Sequence, residues 1–181
     1  MDRFNVALDL KIIMDNLPVA VIVIDQNRVI ILANKIAAEY ADKLPEEMIG
    51  ARGGEPFDCA HSKEDIKGCG FSEYCIKKCF MHSTVLDTFN DKKERKMIEG
   101  SLPFLKKTDE RSLRVSTIPF STNTECFLLI CIEDLTDLKE AQKQKLEKAK
   151  LETVIETAGG NVSRIKPAAP GCAGVHRAAS Q

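Results

Sequence analysis

The residues with the clearest chemical capability in this chain are four cysteines that lie within a stretch of 21 residues. Cys59, Cys69, Cys75 and Cys79 are separated by nine, five and three residues, and glycines flank the second cysteine on both sides. Glycine permits the tight backbone turns that a ligand loop needs. Four thiolates from one loop and the start of a helix can converge on a tetrahedral metal ion or on the irons of a cluster. The spacing therefore predicts one cysteine-ligated centre.

Three interpretations of these cysteines are open. The first is an iron–sulfur cluster of the four-iron four-sulfur type, which would make the region sensitive to redox state or oxygen. The second is a structural zinc ion that holds the loop and takes no part in sensing. The third is a set of free thiols that are either inert or form reversible disulfides. Ligand spacing alone does not distinguish iron from zinc.

Two histidines near the cysteines are further candidates. His61 lies two residues after Cys59 and is a candidate metal ligand or an outer partner of the site. His82 lies three residues after Cys79, where a helix would place it over the site. It is also the candidate axial ligand of a haem, although the chain has no Cys-x-x-Cys-His attachment sequence. For each histidine the alternative is an ordinary polar residue of a loop or helix.

The remaining cysteines do not extend this group. Cys126 and Cys131 lie five residues apart in a predicted strand, so their side chains face opposite sides and cannot form a joint site. We interpret both as small, buried apolar side chains. Cys172 lies in a C-terminal segment of different composition.

Composition and motif content exclude several classes of function. The 26 basic and 27 acidic residues give a net charge of -1, so no excess positive charge attracts nucleic acid or a membrane surface. The longest apolar run, residues 126–132, is too short to cross a bilayer, and charged residues near the N-terminus exclude a signal peptide. No phosphate-binding glycine loop, Gly-x-Ser-x-Gly or His-Glu-x-x-His sequence occurs. We therefore predict a cytoplasmic protein that is not an enzyme.

The hydrophobic pattern predicts the elements that would position the cysteines. Two β-branched runs, residues 19–25 and 28–34, are separated by two residues and predict a hairpin. The other predicted elements are a leading helix at 6–16, short helices at 35–43, 44–50 and 82–90, strands at 95–105, 112–120 and 125–133, and a long helix at 135–158. The cysteines thus lie between the short helices that follow the hairpin.

This order of elements is similar to that of a PAS sensory domain. Residues 15–41, DNLPVAVIVIDQNRVIILANKIAAEYA, resemble the opening of such a domain, in which Asn34 would end the hairpin and start the first core helix. Residues 132–142, IEDLTDLKEAQ, resemble the exit, in which Asp134 and Thr136 lead directly into a signalling helix. PAS domains usually sense a ligand, cofactor or partner and pass the result through that helix.

The resemblance covers about residues 10–138 and implies an α+β fold. A PAS fold has a five-stranded antiparallel sheet with short helices on one face, followed here by a long C-terminal signalling helix. The implied organisation is a leading helix at 1–16, a PAS domain at 17–135 with a Cys-rich insertion at 51–82, a coiled-coil signalling helix at 136–160 and a disordered tail at 161–181.

The cysteine pattern resembles a variant found in PAS domains of anaerobe-type sensor kinases, with a Cys-x-His, a Gly-Cys-Gly and a closely spaced cysteine pair. There the pair is two residues apart, whereas three residues separate Cys75 and Cys79 and place them at helical i, i+4 spacing. The resemblance favours the iron–sulfur cluster and implies a redox or oxygen sensor. The alternatives are a zinc-stabilised PAS module that binds a partner protein and a PAS receptor for a small molecule.

The residue pattern of the exit helix predicts a homodimer. Its apolar residues form an incomplete stripe between charged residues, which a single helix cannot bury but a second copy can. The alternative is a solvated single helix that frays. The stripe comprises Leu135, Leu138, Leu146, Ala149, Val154 and Ile155.

The end of the chain indicates a change of reading frame. Residues 150–160, KLETVIETAGG, resemble the start of a histidine kinase dimerisation helix, but residues 161–181 are broken by prolines and lack helical period. Codons for residues 162–181 can be chosen so that reading one base later gives CHELNQPLQAVLGYIELLL, a kinase phosphoacceptor sequence. The amino acids themselves fix nearly all first and second codon bases. We infer a PAS module truncated from a two-component sensor histidine kinase, with a kinase or response regulator as an indirect partner.

Overall fold

The computed structural model describes residues 6–103 and 110–160. The helices are α1 (Val6–Asp15), α2 (Lys35–Ala41), α3 (Pro45–Met48), α4 (Glu73–Lys77), α5 (Phe80–Asp91) and α6 (Thr136–Gly160), with a 3-10 turn at Ala60–Lys63. The strands are β1 (Ala20–Ile24), β2 (Ile30–Ala33), β3 (Arg95–Pro103), β4 (Glu110–Ser121) and β5 (Cys126–Asp134). The chain divides after Lys139 into two compact units, and the first unit contains all five strands.

The five strands form one antiparallel sheet in the order β2-β1-β5-β4-β3. The first strand therefore pairs with the last, with Ala20 opposite Ile132 and Ile24 opposite Leu128. Helices α2, α3 and α5 pack against the strands. The prediction of an α+β fold with a five-stranded antiparallel sheet, short helices and a long C-terminal helix is confirmed.

Alternating burial along the strands builds the core. Leu128, Ile130 and Ile132 of β5 are at most 6% exposed, whereas Leu129 and Cys131 between them are half-buried. This period of two is the pattern of a sheet with one covered face. The covered face joins residues from α2, α3 and α5 in a single hydrophobic cluster, so the core lies between the sheet and the helices.

Asn34 fixes the point where the hairpin becomes a helix. It is fully buried and caps α2, since its Oδ1 accepts hydrogen bonds from the N–H groups of Ala37 and Val21, each at 2.9 Å. Its Nδ2 donates to the carbonyl oxygens of Met14 at 3.0 Å and Val19 at 2.9 Å. A buried amide with all these partners locks α1, β1 and α2 together. The prediction that Asn34 starts the first core helix is confirmed.

Asp134 and Thr136 connect the end of the sheet to α6. The N–H of Thr136 donates to Asp134 Oδ1 at 2.9 Å, and the N–H of Ser112 donates to Thr136 Oγ1 at 3.1 Å. The N–H of Leu135 also donates to the carbonyl oxygen of Ser112, at 2.8 Å. The first turn of α6 is therefore anchored to β4 by hydrogen bonds.

The second unit, from residue 140 onward, is helical as far as Gly160. Its large apolar side chains are exposed: Leu146, Leu151, Val154 and Ile155 are between 58% and 63% accessible. The predicted tail at residues 161–181 lies outside the described residues. Among the residues that are described, no helix combines the length and apolar character needed to cross a membrane.

Cys126 and Cys131 lie on opposite faces of β5, as their spacing predicts. Both are half-buried free thiols, so the interpretation of these two residues as buried apolar side chains is wrong. The reason is their location: Cys126 begins the strand, and Cys131 lies on the face of the sheet opposite the hydrophobic core.

Candidate functional site

A cavity of about 80 Å³ lies between the covered face of the sheet and the cysteine-rich segment. That is roughly five times the volume that one water molecule needs by a comparable measure. All four cysteines singled out by the sequence line it: Cys59, Cys69, Cys75 and Cys79. The apolar part of its wall consists of Ile22, Ile24, Phe57, Met81, Val85, Leu102, Leu113, Ile130 and Ile132. Three polar side chains complete it: Arg28, Tyr40 and His82.

Two of the cysteines stand at helix starts. Cys59 precedes the 3-10 turn and Cys79 precedes α5, each as the N-cap residue. The backbone N–H groups two and three residues further along the chain lower the pKa of each thiol, against the effect of burial. The same arrangement therefore occurs twice in one cavity. Such N–H groups favour the charged thiolate over the neutral thiol, and they also tune metal-bound sulfur.

Cys69 is held in a glycine turn. Gly68 and Gly70 on either side of it have φ angles of +84° and +90°, which side chains rarely adopt. The N–H of Cys69 donates to Glu55 Oε1 at 3.2 Å, and its sulfur accepts a hydrogen bond from the N–H of Gly54. A Cβ at Gly54 would lie only 2.8 Å from that sulfur. Three glycines thus shape the backbone around one thiol.

Cys75 lies on α4 and is almost completely buried. Ser72 caps this helix, because its Oγ accepts a hydrogen bond from the N–H of Cys75 at 3.1 Å. The helix ends at Lys77, and Cys79 begins the next one. Cys75 and Cys79 therefore do not lie on one continuous helix, although their i, i+4 spacing would allow it. A helix break between them turns both side chains toward the same cavity.

The cavity keeps three of its four thiols protonated when nothing is bound. Burial raises the pKa of Cys59, Cys69 and Cys79, and the pKa of Cys69 reaches about 12. Backbone N–H groups oppose this effect, and the neighbouring cysteines add to it because like charges repel. A bound cation would replace the thiol protons and remove that repulsion. Neutral thiols are poor nucleophiles, so none of these three cysteines is activated.

The donor set fits a group held by four thiolates. Four sulfurs, N–H groups directed at three of them, and a glycine that leaves room beside Cys69 are what such a group requires. Tetrahedral zinc with bonds of about 2.3 Å would draw its sulfurs to about 3.8 Å from one another. Among residues 6–103 and 110–160, no three His, Cys, Asp or Glu side chains are gathered as around a single ion. A four-iron cluster is bound at its corners and spaces its ligands more widely.

The two candidate histidines differ in position. His61 is not part of the cavity wall: its ring stacks on Tyr74 at a centroid distance of 3.6 Å, and its Nδ1 lies 2.6 Å from Glu64 Oε1. His82 lines the cavity, where burial and then the charge of Arg28 lower its pKa. Its ring donates to the carbonyl oxygen of Cys75. The structure therefore brings His82 to the cysteines and directs the His61 ring elsewhere.

Tyr40 is a cavity residue that the sequence did not reveal. Its ring packs against Phe57, another wall residue, at a centroid distance of 6.0 Å, and its hydroxyl donates to Asp134 Oδ2 at 2.9 Å. Burial raises the pKa of Tyr40, and the hydrogen bond to Asp134 adds to this. Tyr40 also lines a second cavity of about 340 Å³ that includes Asp134 and Leu135. One side chain thus contacts both the cysteine cavity and the exit of the sheet.

Arg28 is the second wall residue that the sequence analysis missed. It ends the β1–β2 turn with a φ of +64°. Its Nη1 lies 3.4 Å from the carbonyl oxygen of Gly70, and its guanidinium carbon lies 4.8 Å from the Phe71 ring centroid. Burial and then the charge of Arg52 lower the pKa of Arg28, whereas Cys69 and Cys75 raise it when they are ionised. The sequence did contain one signal for Arg28: an arginine stands at a turn position that usually holds glycine or asparagine.

Comparisons with known proteins identify the architecture. No family model matches the sequence, and no curated protein matches it. The PAS domain of BvgS from Bordetella pertussis is similar, with a TM-score of 0.53 and 15% identity over 82% of this chain and 99% of that chain. A PAS domain from Colwellia psychrerythraea gives a TM-score of 0.52 and 15% identity over 74% of this chain and 99% of that chain. The PAS domain of a two-component sensor histidine kinase gives a TM-score of 0.50 and 6% identity over 71% of this chain and 95% of that chain. The chain therefore has the PAS fold.

Proposed function

We propose that this chain is a PAS signal-sensing module whose four clustered cysteines hold a four-iron four-sulfur cluster that responds to redox state or oxygen. The observation that carries the proposal is that Cys59, Cys69, Cys75 and Cys79 line one cavity against the sheet. The module works in the cytoplasm, where reducing conditions leave cysteines free for metal. Zinc at the same cysteines, or a small molecule in the cavity, are the alternatives that the experiments below distinguish.

The chain supplies ligands, hydrogen bonds and protection from water. The four sulfurs bind, and the N–H groups that point at three of them stabilise their negative charge. The apolar wall limits access of water to the site. When bound, the cluster would supply a one-electron, oxygen-sensitive redox centre.

The route from this site to the output helix runs through Tyr40. A shift of the cavity wall that moves Phe57 would move Tyr40, whose hydroxyl is bonded to Asp134. Asp134 in turn holds the first turn of α6 through the N–H of Thr136. Local changes at a cofactor reach an output element through packed and hydrogen-bonded contacts of this kind.

The decisive experiment is anaerobic purification followed by iron, zinc and acid-labile sulfide analysis. The proposal requires iron and sulfide in nearly equal amounts and visible absorbance that air removes. Cys75→Ser is expected to abolish the cluster, while the matched variant Cys131→Ser, on the outer sheet face, is expected to retain it. Zinc without sulfide would support the zinc alternative, and a metal-free protein would leave the small-molecule receptor.

We propose further that the module forms a homodimer through α6. Its apolar side chains between residues 140 and 155 are exposed in the single chain, and a second copy would cover them. Introducing Leu146→Glu and Val154→Glu together is expected to convert a dimer into a monomer in light scattering. Lys148→Glu, a change of similar charge on the side of the helix away from Leu146 and Val154, is the control. A wild-type chain that is monomeric at micromolar concentration would contradict the proposal.

We also propose that the parent protein is a sensor histidine kinase, which would act on a response regulator. The DNA sequence of the gene tests this directly. The codons from Val162 onward, read one base later, are expected to encode the phosphoacceptor sequence. If they do not, the frameshift inference is wrong and residues 161–181 need another origin, such as a native extension. If they do, a restored frame is expected to give an autophosphorylating protein, while the chain as written is inactive.

A further inference from the structure

Arg28 occupies a backbone position that does not favour arginine. Its φ of +64° lies in the left-handed region, where a side chain costs about 1 kcal/mol relative to glycine. The turn itself is closed without the side chain: the N–H of Arg28 donates to the carbonyl oxygen of Asp25 at 2.9 Å, and the N–H of Val29 donates to Asp25 Oδ1 at 2.8 Å. Glycine or asparagine would serve this turn better. The arginine side chain therefore has a reason to be here other than the turn.

The side chain reaches across to the cysteine segment. Its guanidinium bonds to the carbonyl oxygen of Gly70, covers the Phe71 ring and forms part of the cavity wall. A Cβ at Gly70 would overlap Nη1 of Arg28, so glycine at this position is what permits the approach. Gly70 directly follows Cys69 in the chain. The guanidinium thus lies beside the turn that holds one of the four sulfurs.

In the part of the chain that the structure describes, no carboxylate forms an ion pair with this positive charge. Within the described parts of the chain, Arg28, Arg52 and Lys67 form no ion pair, although all three lie over the same Phe71 ring, at 4.8, 5.0 and 5.6 Å from its centroid. Three neighbouring cations repel one another. Of the three, Arg28 alone is in the cavity wall. The negative charge that could balance it is that of the cysteine sulfurs.

We propose that Arg28 is the charge-balancing residue of the cysteine centre, a cation placed in the cavity wall to stabilise four thiolates and the group they bind. This inference rests on the proposed function. Four thiolates around a zinc ion, or around a cluster core of charge +2, leave a net charge of -2. A guanidinium beside that charge stabilises the loaded site, and it stabilises a reduced cluster still more because reduction adds another negative charge.

Removing the charge should therefore weaken binding and disfavour reduction. Even at a separation of about 12 Å and an effective dielectric constant near 20, two unit charges interact by an amount that corresponds to about a tenfold change in an equilibrium. Arg28→Gln is expected to lower zinc affinity about tenfold, measured by competition with a chelator. It is also expected to lower the ratio of reduced to oxidised cluster about tenfold at a fixed potential. This change corresponds to a reduction potential that is lower by about 59 mV for one electron.

Two variants separate charge from shape. Arg28→Lys keeps the cation and is expected to stay within about threefold of wild type in both measurements. Arg52→Gln removes a cation from the same ring but not from the cavity wall, and it is expected to change either value less than about threefold. If Arg28→Gln and Arg52→Gln behave alike, or if Arg28→Lys behaves like Arg28→Gln, the inference is wrong.

A third variant excludes a purely structural role. Arg28→Asn relieves the left-handed backbone strain, so the metal-free protein is expected to melt at the same temperature or higher, while zinc affinity falls as in Arg28→Gln. If Arg28 were purely structural, the substitution would lower both the melting temperature and the zinc affinity. A lower melting temperature with unchanged affinity would overturn the inference. A wild-type protein that binds neither zinc nor a cluster would overturn the proposed function as well. If the wild type binds normally but substitution of Arg28 changes neither zinc affinity nor cluster reduction, this inference alone is overturned.

Discussion

The two sides of the cysteine cavity are built in different ways. On the sheet side, Val115 and Leu128 are fully buried and Ile22 is 2% exposed, as in an ordinary protein core. On the cysteine side, the isoleucines point outward: Ile66 is fully exposed and Ile76 is 63% exposed. The side chains of that segment that line the cavity are the four cysteines and Phe57.

This difference separates two sources of stability. The sheet is stabilised by buried apolar area, which needs no ligand. The cysteine segment is ordered by glycine turns, the Ser72 cap and short helices, which contribute little individually. A group bound by the four sulfurs would supply most of the remaining free energy. Removal of that group should therefore leave the stability of the sheet unchanged and lower the stability of the cysteine segment.

The largest expected effect is the response to removal of the bound group. Anaerobic chelation is expected to increase amide hydrogen exchange in residues 51–79 at least about 100-fold, because metal binding and local folding are coupled. Exchange in β5 is expected to change less than about threefold, since its hydrogen bonds lie within the sheet. Unchanged protection in both regions would mean that the segment is ordered by its own contacts.

A second test compares one apolar side chain from each side. Leu128→Ala is expected to lower the free energy of unfolding by about 3 kcal/mol, with or without the bound group, because it leaves a cavity in the core. Ile76→Ala, in the cysteine segment, is expected to cost less than about 0.5 kcal/mol because the side chain is exposed. Denaturant unfolding measures both. Similar losses for the two variants would contradict the contrast between the sides.

The smallest expected effect depends on pH and concerns Tyr40. Burial alone would raise the pKa of Asp134, but hydrogen bonds from Thr136 and Tyr40 lower it overall. A carboxyl with a lowered pKa stabilises the fold above its unfolded pKa of about 3.9, and this contribution is lost as the pH falls through the folded value. Tyr40→Phe is therefore expected to cost about 1 kcal/mol at pH 7 and less below about pH 4.

The control for this test is Tyr74→Phe, in the cysteine segment, where the tyrosine stacks on His61. Its effect on the free energy of unfolding is expected to be the same at pH 4 and below as at pH 5. If the loss of unfolding free energy in Tyr40→Phe is also independent of pH over that range, the hydrogen bond to Asp134 contributes nothing through the charge of the carboxylate.

The elements that sequence reasoning placed well are those with a local signal. Alternating β-branched runs located the strands to within a few residues, and Asn34 marked the start of α2. The four cysteines were found because their residue type and spacing are distinctive. That they line one cavity depends on the fold, and the group they bind stays a prediction.

The residues that sequence reasoning missed act across long separations. Arg28 contacts a glycine 42 residues away, and Tyr40 bonds to an aspartate 94 residues away. Nothing local marks either contact. Helix α4 was missed for a different reason: it has only five residues, too few for a helical period to be recognised between the cysteines.

The hydrogen bonds of Asn34 limit where this domain can be cut for transfer into a hybrid receptor. One amide hydrogen of Asn34 is bonded to the carbonyl oxygen of Met14, which belongs to α1. A junction placed after residue 16 would remove that acceptor from a fully buried donor, at a cost of about 1–3 kcal/mol. A chimeric sensor should therefore include the last turn of α1, so that the transplanted input carries its own closing hydrogen bond.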